Sequence, residues 1–161
     1  MGTCLGSQLI AHAYNAPVYD DERKECGFYR VNLAADGKRS KLFKGFDDQF
    51  PVFHWHGEAF DIPEGASALA LSNYEDPKVQ AFAYRNRLGI LFHNEMTPGM
   101  ITTLLNKDRD WFIHRDNRPY HNNTEYGILQ DAFELNSPLS EQARLLFDNF
   151  VSTVSSQQVH L

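Results

Sequence analysis

Apolar residues recur at helical spacing near both ends of the chain and alternate, or run together, through its middle. Leu5, Leu9, Ile10 and Ala13 fall on a 3.6-residue period until Asn15-Ala16-Pro17 stops the run, which predicts a short helix over 5–13. Phe28 to Leu33 alternates and is rich in β-formers, so it is expected to be a strand. Val52 to His56 (broken at Gly57), Ala68 to Leu71, Val79 to Tyr84 and Leu88 to His93 follow as further strands, the last apolar enough for a sheet interior. Asp20 to Glu25 is charged and reads as a loop, Gly45 to Pro51 as a connector, and Lys38 to Lys44 as a solvated loop or edge. Thr97-Pro98 opens a helix, with a capping residue and a proline in the first turn, and Ile101, Leu104 and Leu105 form its buried stripe. Asp108 to Glu125 gives no clear element. Ser137-Pro138 repeats the helix start, and Leu139, Ala143, Leu146, Phe147, Phe150 and Val154 supply the apolar face. One helix, several strands and two helices imply an α/β or α+β layered fold, a single domain over 1–161 without repeats or linkers.

Composition narrows the partners. With 42% hydrophobic and 22% charged residues the chain is globular, and twelve Phe and seven Tyr suit strands and a bulky core. A net charge of −6 leaves no basic stripe for phosphates, so no nucleic-acid partner is expected. No apolar run approaches membrane-spanning length, so no membrane partner is expected either. Cys4 and Cys26 cannot build a disulfide framework, a usage that suits a reducing, cytoplasmic setting. Cys26 is expected to be a structural thiol.

The candidate chemistry starts at Gly2-Thr3-Cys4-Leu5-Gly6-Ser7-Gln8. A cysteine with glycine two positions away on each side is the pattern of a nucleophile elbow, a sharp strand-to-helix turn that excludes bulk around the nucleophile. The helix that follows aims free backbone N–H groups at the sulfur, an arrangement that favours the reactive thiolate. His93 and Glu95 lie at the carboxyl end of the apolar strand, where ligand chemistry collects in open α/β sheets. A cysteine nucleophile needs a base, and a histidine oriented by a carboxylate is one.

Four stretches occur in order: Gly2 to Gln8, Lys24-Glu25-Cys26-Gly27-Phe28, Phe53-His54-Trp55-His56-Gly57-Glu58 and Phe92-His93-Asn94-Glu95. Together they resemble the class I, triad-type glutamine amidotransferases, especially those similar to the glutaminase domain of GMP synthase. The resemblance implies a flavodoxin-like three-layer αβα fold, glutamine as substrate, no cofactor and no metal, and an ammonia-accepting synthase partner. It implies that Cys4 attacks the glutamine side-chain amide, that His93 is base and acid, and that Glu95 orients His93. The Leu5 N–H would be an oxyanion donor, Gln8 would bind substrate, and the backbone at His56 and Gly57 would hold its amino-acid end. The family usually has proline where Asn94 stands, and it has strands, helices and a glycine-rich loop ahead of the nucleophile. The chain is therefore expected to be the C-terminal portion of such a domain, with no strand for its elbow to turn from and with low activity alone.

Three rival functions remain. His54, His56 and Glu58 at i, i+2, i+4 would share one face of a strand as metal ligands, the weaker alternative. An inactive binding module and a γ-glutamyl peptide hydrolase on the same fold are the others.

Overall fold

The computed structural model describes residues 1–113 and 124–157. Its elements are β1 (Gly2–Thr3), α1 (Leu5–Ala13), β2 (Val18–Leu33), α2 (Ala35–Arg39), a 3-10 turn (Lys41–Phe43), β3 (Gln49–Phe60), β4 (Ser67–Ser72), β5 (Val79–Tyr84), β6 (Arg87–Ile90), α3 (Pro98–Lys107), α4 (Arg109–Ile113), α5 (Glu125–Glu134) and α6 (Asn136–Gln157). The strands form one six-stranded sheet in the order β1-β6-β5-β4-β2-β3. Only β1 and β6 pair in parallel; the other neighbours are antiparallel.

Alternation along the long strands sorts the core onto two faces. Val31, Leu33 and Val52 point to one side, where Leu42 and Phe43 of the 3-10 turn and Leu146 of α6 cover them. Cys26 and Phe53 point to the other, against Ile101 and Leu105 of α3, Ile128 of α5 and Leu139 of α6. A third cluster joins Ala11 of α1 to Phe60, Phe82 and Leu91. The sheet is thus covered by helices on both faces. No helix among the described residues is long and apolar enough to cross a membrane.

Several sequence expectations need correction. Asp20 to Glu25 is not a loop but part of the 16-residue β2. Its ladder with β3 runs from Val18 opposite Phe60 to Asn32 opposite Gln49, with a register shift between Asp20 and Glu25. Pairing fixes the two ends of this stretch, Asp20 opposite Glu58 and Glu25 opposite His56, and Asp21 to Lys24 lie within the register shift. β3 starts earlier than Val52 and continues through Gly57 to Phe60. The Lys38 to Lys44 stretch carries buried Leu42 and Phe43 in a 3-10 turn rather than a solvated loop. Strand β6 ends at Ile90, and the next residues leave it: Leu91 N–H donates to Gln80 (2.8 Å), and His93 exchanges two backbone bonds with Phe53.

Helix α1 has the expected bounds but the opposite face inward. Leu5 and Leu9 are exposed, whereas Ser7, Gln8 and Ala11 are buried against the sheet. Helix α3 keeps its expected stripe and is capped by the Thr97 hydroxyl, which accepts from the Met100 N–H. Along α6 the apolar face divides: Leu139 and Leu146 are buried, Phe147 and Val154 exposed. His114 and His121, for which the sequence predicts no role, and the Asn122-Asn123-Thr124 glycosylation sequon, expected to be chance, fall wholly or partly outside the described residues.

Candidate active site

Cys4 stands at the junction of β1 and α1. A two-residue strand does precede it, contrary to expectation: Gly2 pairs with Gly89 and Thr3 with Ile90, and the Cys4 N–H continues this pairing to the Ile90 carbonyl at 2.8 Å. Cys4 then turns at φ 48°, ψ −112°, a left-handed conformation that costs a non-glycine residue on the order of 1–3 kcal/mol. Such strain marks an elbow. The ladder of α1 begins at once, with the Ser7 and Gln8 N–H groups and the Ser7 hydroxyl all donating to the Cys4 carbonyl.

The two glycines of the motif are not equivalent. A Cβ on Gly2 would lie 2.4 Å from the Gly6 carbonyl oxygen, so the backbone approach itself demands glycine there. A Cβ on Gly6 would meet nothing within 4 Å. Packing among the described residues therefore does not require the second glycine, and the space beside it stays open.

Because β6 lies beside β1, the residues that follow Ile90 arrive near Cys4. The two backbone bonds to Phe53 fix where His93 leaves the sheet. His93 lies close enough to Cys4 for the two to interact electrostatically, and its Nδ1 lies 2.5 Å from Glu95 Oε1. Burial disfavours charge on His93, but its interactions with Cys4 and Glu95 outweigh it and raise the imidazole from 6.5 to about 9. Burial alone would raise Glu95; the bond and charge of His93 win, and it is held low. A thiol, an imidazole and a carboxylate thus form one chain.

Of the other predicted site residues, Leu5 is the first residue of α1, with its N–H ahead of the helical ladder. Gln8, one turn beyond Cys4, is buried. The Gly57 N–H donates to the Glu58 carboxylate at 3.3 Å. Asn94, in place of the family proline, is buried with neither side-chain polar atom hydrogen-bonded among the described residues.

The His54, His56, Glu58 trio is not what the fold assembles. His54 and His56 are buried on one face of β3, but the carboxylate beside them is Glu25, opposite His56 on β2. Tyr74 donates to Glu25 Oε1 at 2.5 Å. Burial drives His54 well below its ordinary 6.5. For Glu25, burial is outweighed by the two imidazoles and the Tyr74 hydroxyl, and the carboxyl is held below 4.5. Glu25 and Tyr74 escaped sequence reasoning because only the β2–β3 pairing and the fold around β4 bring them to His56.

Residues 1–109 match the family described as Glutamine amidotransferase class-I. The chain is similar to YfeJ of Salmonella typhimurium, named as a glutamine amidotransferase-like protein, at 35% identity over 106 residues, covering 65% of this chain and 44% of that one. It is similar to a glutamine-hydrolyzing GMP synthase subunit of Methanococcus vannielii at 31% identity, covering 60% of this chain and 50% of that one. Among solved structures, a glutamine amidotransferase from Thermotoga maritima superposes with a TM-score of 0.77 at 29% identity, over 93% of this chain and 61% of that one. The chain thus spans half or less of the length of these two curated relatives. The fold it shares with the solved structures is the flavodoxin-like α/β arrangement.

Proposed function

The chain belongs to the class I glutamine amidotransferases, and on that premise we propose that Cys4, His93 and Glu95 release ammonia from the side-chain amide of glutamine. The observation that carries the proposal is the His93–Glu95 hydrogen bond placed next to Cys4 at a strained elbow. Cys4 Sγ attacks the amide carbon, and its proton is held by His93. The carbonyl oxygen becomes an oxyanion facing the Leu5 N–H, a donor placed where charge develops. The C–N bond breaks as His93 hands its proton to the leaving nitrogen, which departs as ammonia and leaves a glutamyl thioester on Cys4. Water, deprotonated by His93, then cleaves the C–S bond, releasing glutamate and returning the proton to the cysteine side.

Gln8 and the backbone at His56 and Gly57 are the proposed contacts for the amino-acid end of the substrate. Since the relatives include a subunit of a glutamine-hydrolyzing GMP synthase, a synthase partner is the proposed acceptor of the ammonia.

The test is ammonia release from glutamine together with covalent labelling by a diazoketone analogue of glutamine. Label is expected on Cys4 and not on Cys26, with protection by glutamine, and Cys4→Ser should abolish both label and ammonia. Wild-type ammonia release by Cys4→Ser, label on Cys26, or neither signal from the unaltered protein would overturn the assignment.

A further inference from the structure

Beside the cysteine centre lies a second cluster whose side chains the proposed chemistry does not use. Glu25, His54 and His56 each offer a ligand atom, and the three atoms lie within 4.8 Å of one another in a buried setting. His54 Nδ1 is 2.8 Å from His56 Nε2. Glu25 Oε2 is 3.2 Å from His56 Nε2 and 3.9 Å from His54 Nδ1. Three donors placed about 2.0–2.1 Å from one tetrahedral ion are roughly 3.3 Å apart, so two of these separations need to adjust by about half an ångström and the third hardly at all.

The proton count points the same way. His56 Nδ1 faces the Glu58 carbonyl oxygen at 3.1 Å. A carbonyl only accepts, so Nδ1 carries the proton and a neutral His56 turns the lone pair of Nε2 inward. Glu25 is oriented likewise: Tyr74 occupies Oε1 and leaves Oε2 facing the imidazoles. Both arrangements are the outer-shell supports that set ligand tautomer and direction around metals. A single shared proton can satisfy one of the inward atom pairs at a time, whereas a cation at the centre satisfies all three atoms at once. Glu25 and His54 also line a cavity of about 400 Å³, with Tyr29, Arg30, Ser72 and Tyr74 among its other walls, which offers an entry path and room for a water as a further ligand.

We infer that Glu25, His54 and His56 form a binding site for one divalent transition-metal ion of the zinc type. Two imidazole nitrogens and one carboxylate oxygen, with a position left for water, are a donor set that zinc accepts. Binding places Nε2 of His56, Nδ1 of His54 and Oε2 of Glu25 on the ion and expels any proton they share. The site ties β2 to β3 beside the strand position where Phe53 holds His93.

The experiment uses the full chain, stripped with a chelator and resupplied with Zn²⁺ or Co²⁺. One ion per chain is expected by elemental analysis, with a raised Tm and a Co²⁺ spectrum free of thiolate charge-transfer bands. Cys4→Ser should bind equally well, and Glu25→Gln should weaken binding at least tenfold while keeping its far-UV circular dichroism. Tyr74→Phe, which removes only the outer support, should weaken binding about tenfold and serves if Glu25→Gln does not fold. No stoichiometric binding by the unaltered chain, loss of binding in Cys4→Ser, or undiminished affinity in Glu25→Gln would overturn the site. None of these outcomes bears on the glutaminase proposal, which is read from ammonia and labelling.

Discussion

His93 is the residue at which local environment departs furthest from solution behaviour in the proposed catalytic series. Its folded value, about 9, lies above the ordinary 6.5. The protonated form is therefore stabilised by folding, fully so below 6.5, and that contribution is lost as pH rises through 9. Glu95 works in the other direction: its value is lowered, so its contribution is present above the ordinary carboxylate range and is lost in acid. The pair stabilises most between these limits. Urea unfolding of the wild type is expected to show stability falling between pH 6.5 and 9, and His93→Asn should flatten that fall. An equal slope in the variant would show that the imidazole is not the titrating group.

At the scale of elements, the elbow depends on how closely β1, β6 and β5 approach. Gly89 pairs with Gly2 on one side and with Phe82 on the other. A Cβ at Gly89 would lie 2.2 Å from a ring carbon of Phe82, and that ring is fully buried. It has no room to yield. Gly89→Ala is expected to destabilise the fold by about 1–3 kcal/mol through overpacking and to lower Tm; an unchanged Tm would mean that β6 can shift without cost. Helix α1 shows a complementary rule: the small Ser7 and Ala11 lie inward, and the bulkier Leu5 and Leu9 are left outside.

For the whole molecule, the last helix closes one face of the sheet by contacts far apart in sequence. Asn149 on α6 donates from its side-chain amide to the carbonyls of Leu42 and Lys44, at 3.0 and 2.9 Å. Leu146 and Phe150 pack beside it onto the same cluster. Asn149→Ala removes one part-buried and one exposed hydrogen bond, and a loss of about 0.5–1.5 kcal/mol is expected. Equilibrium urea unfolding would check this, with an unchanged midpoint counting against the tie. The same long-range logic built the metal-type cluster, since Glu25 meets His56 only through the β2–β3 ladder.

The sequence by itself determined the elements with strong local signals: α1, β5 and α3, whose period, capping and turn residues are short-range physics. It also singled out Cys4, His93 and Glu95, because elbow spacing and a His-x-Glu at a strand end are patterns of neighbouring residues. It misjudged Asp20 to Glu25, whose two ends pair with β3 across a register shift, and the face of α1, where close approach favours small residues over apolar ones. It paired His54 and His56 with Glu58, the carboxylate nearest in sequence. Only the tertiary structure decided that Glu25 fills that place, since which residues meet across a sheet is set by strand register, a property of two distant segments at once.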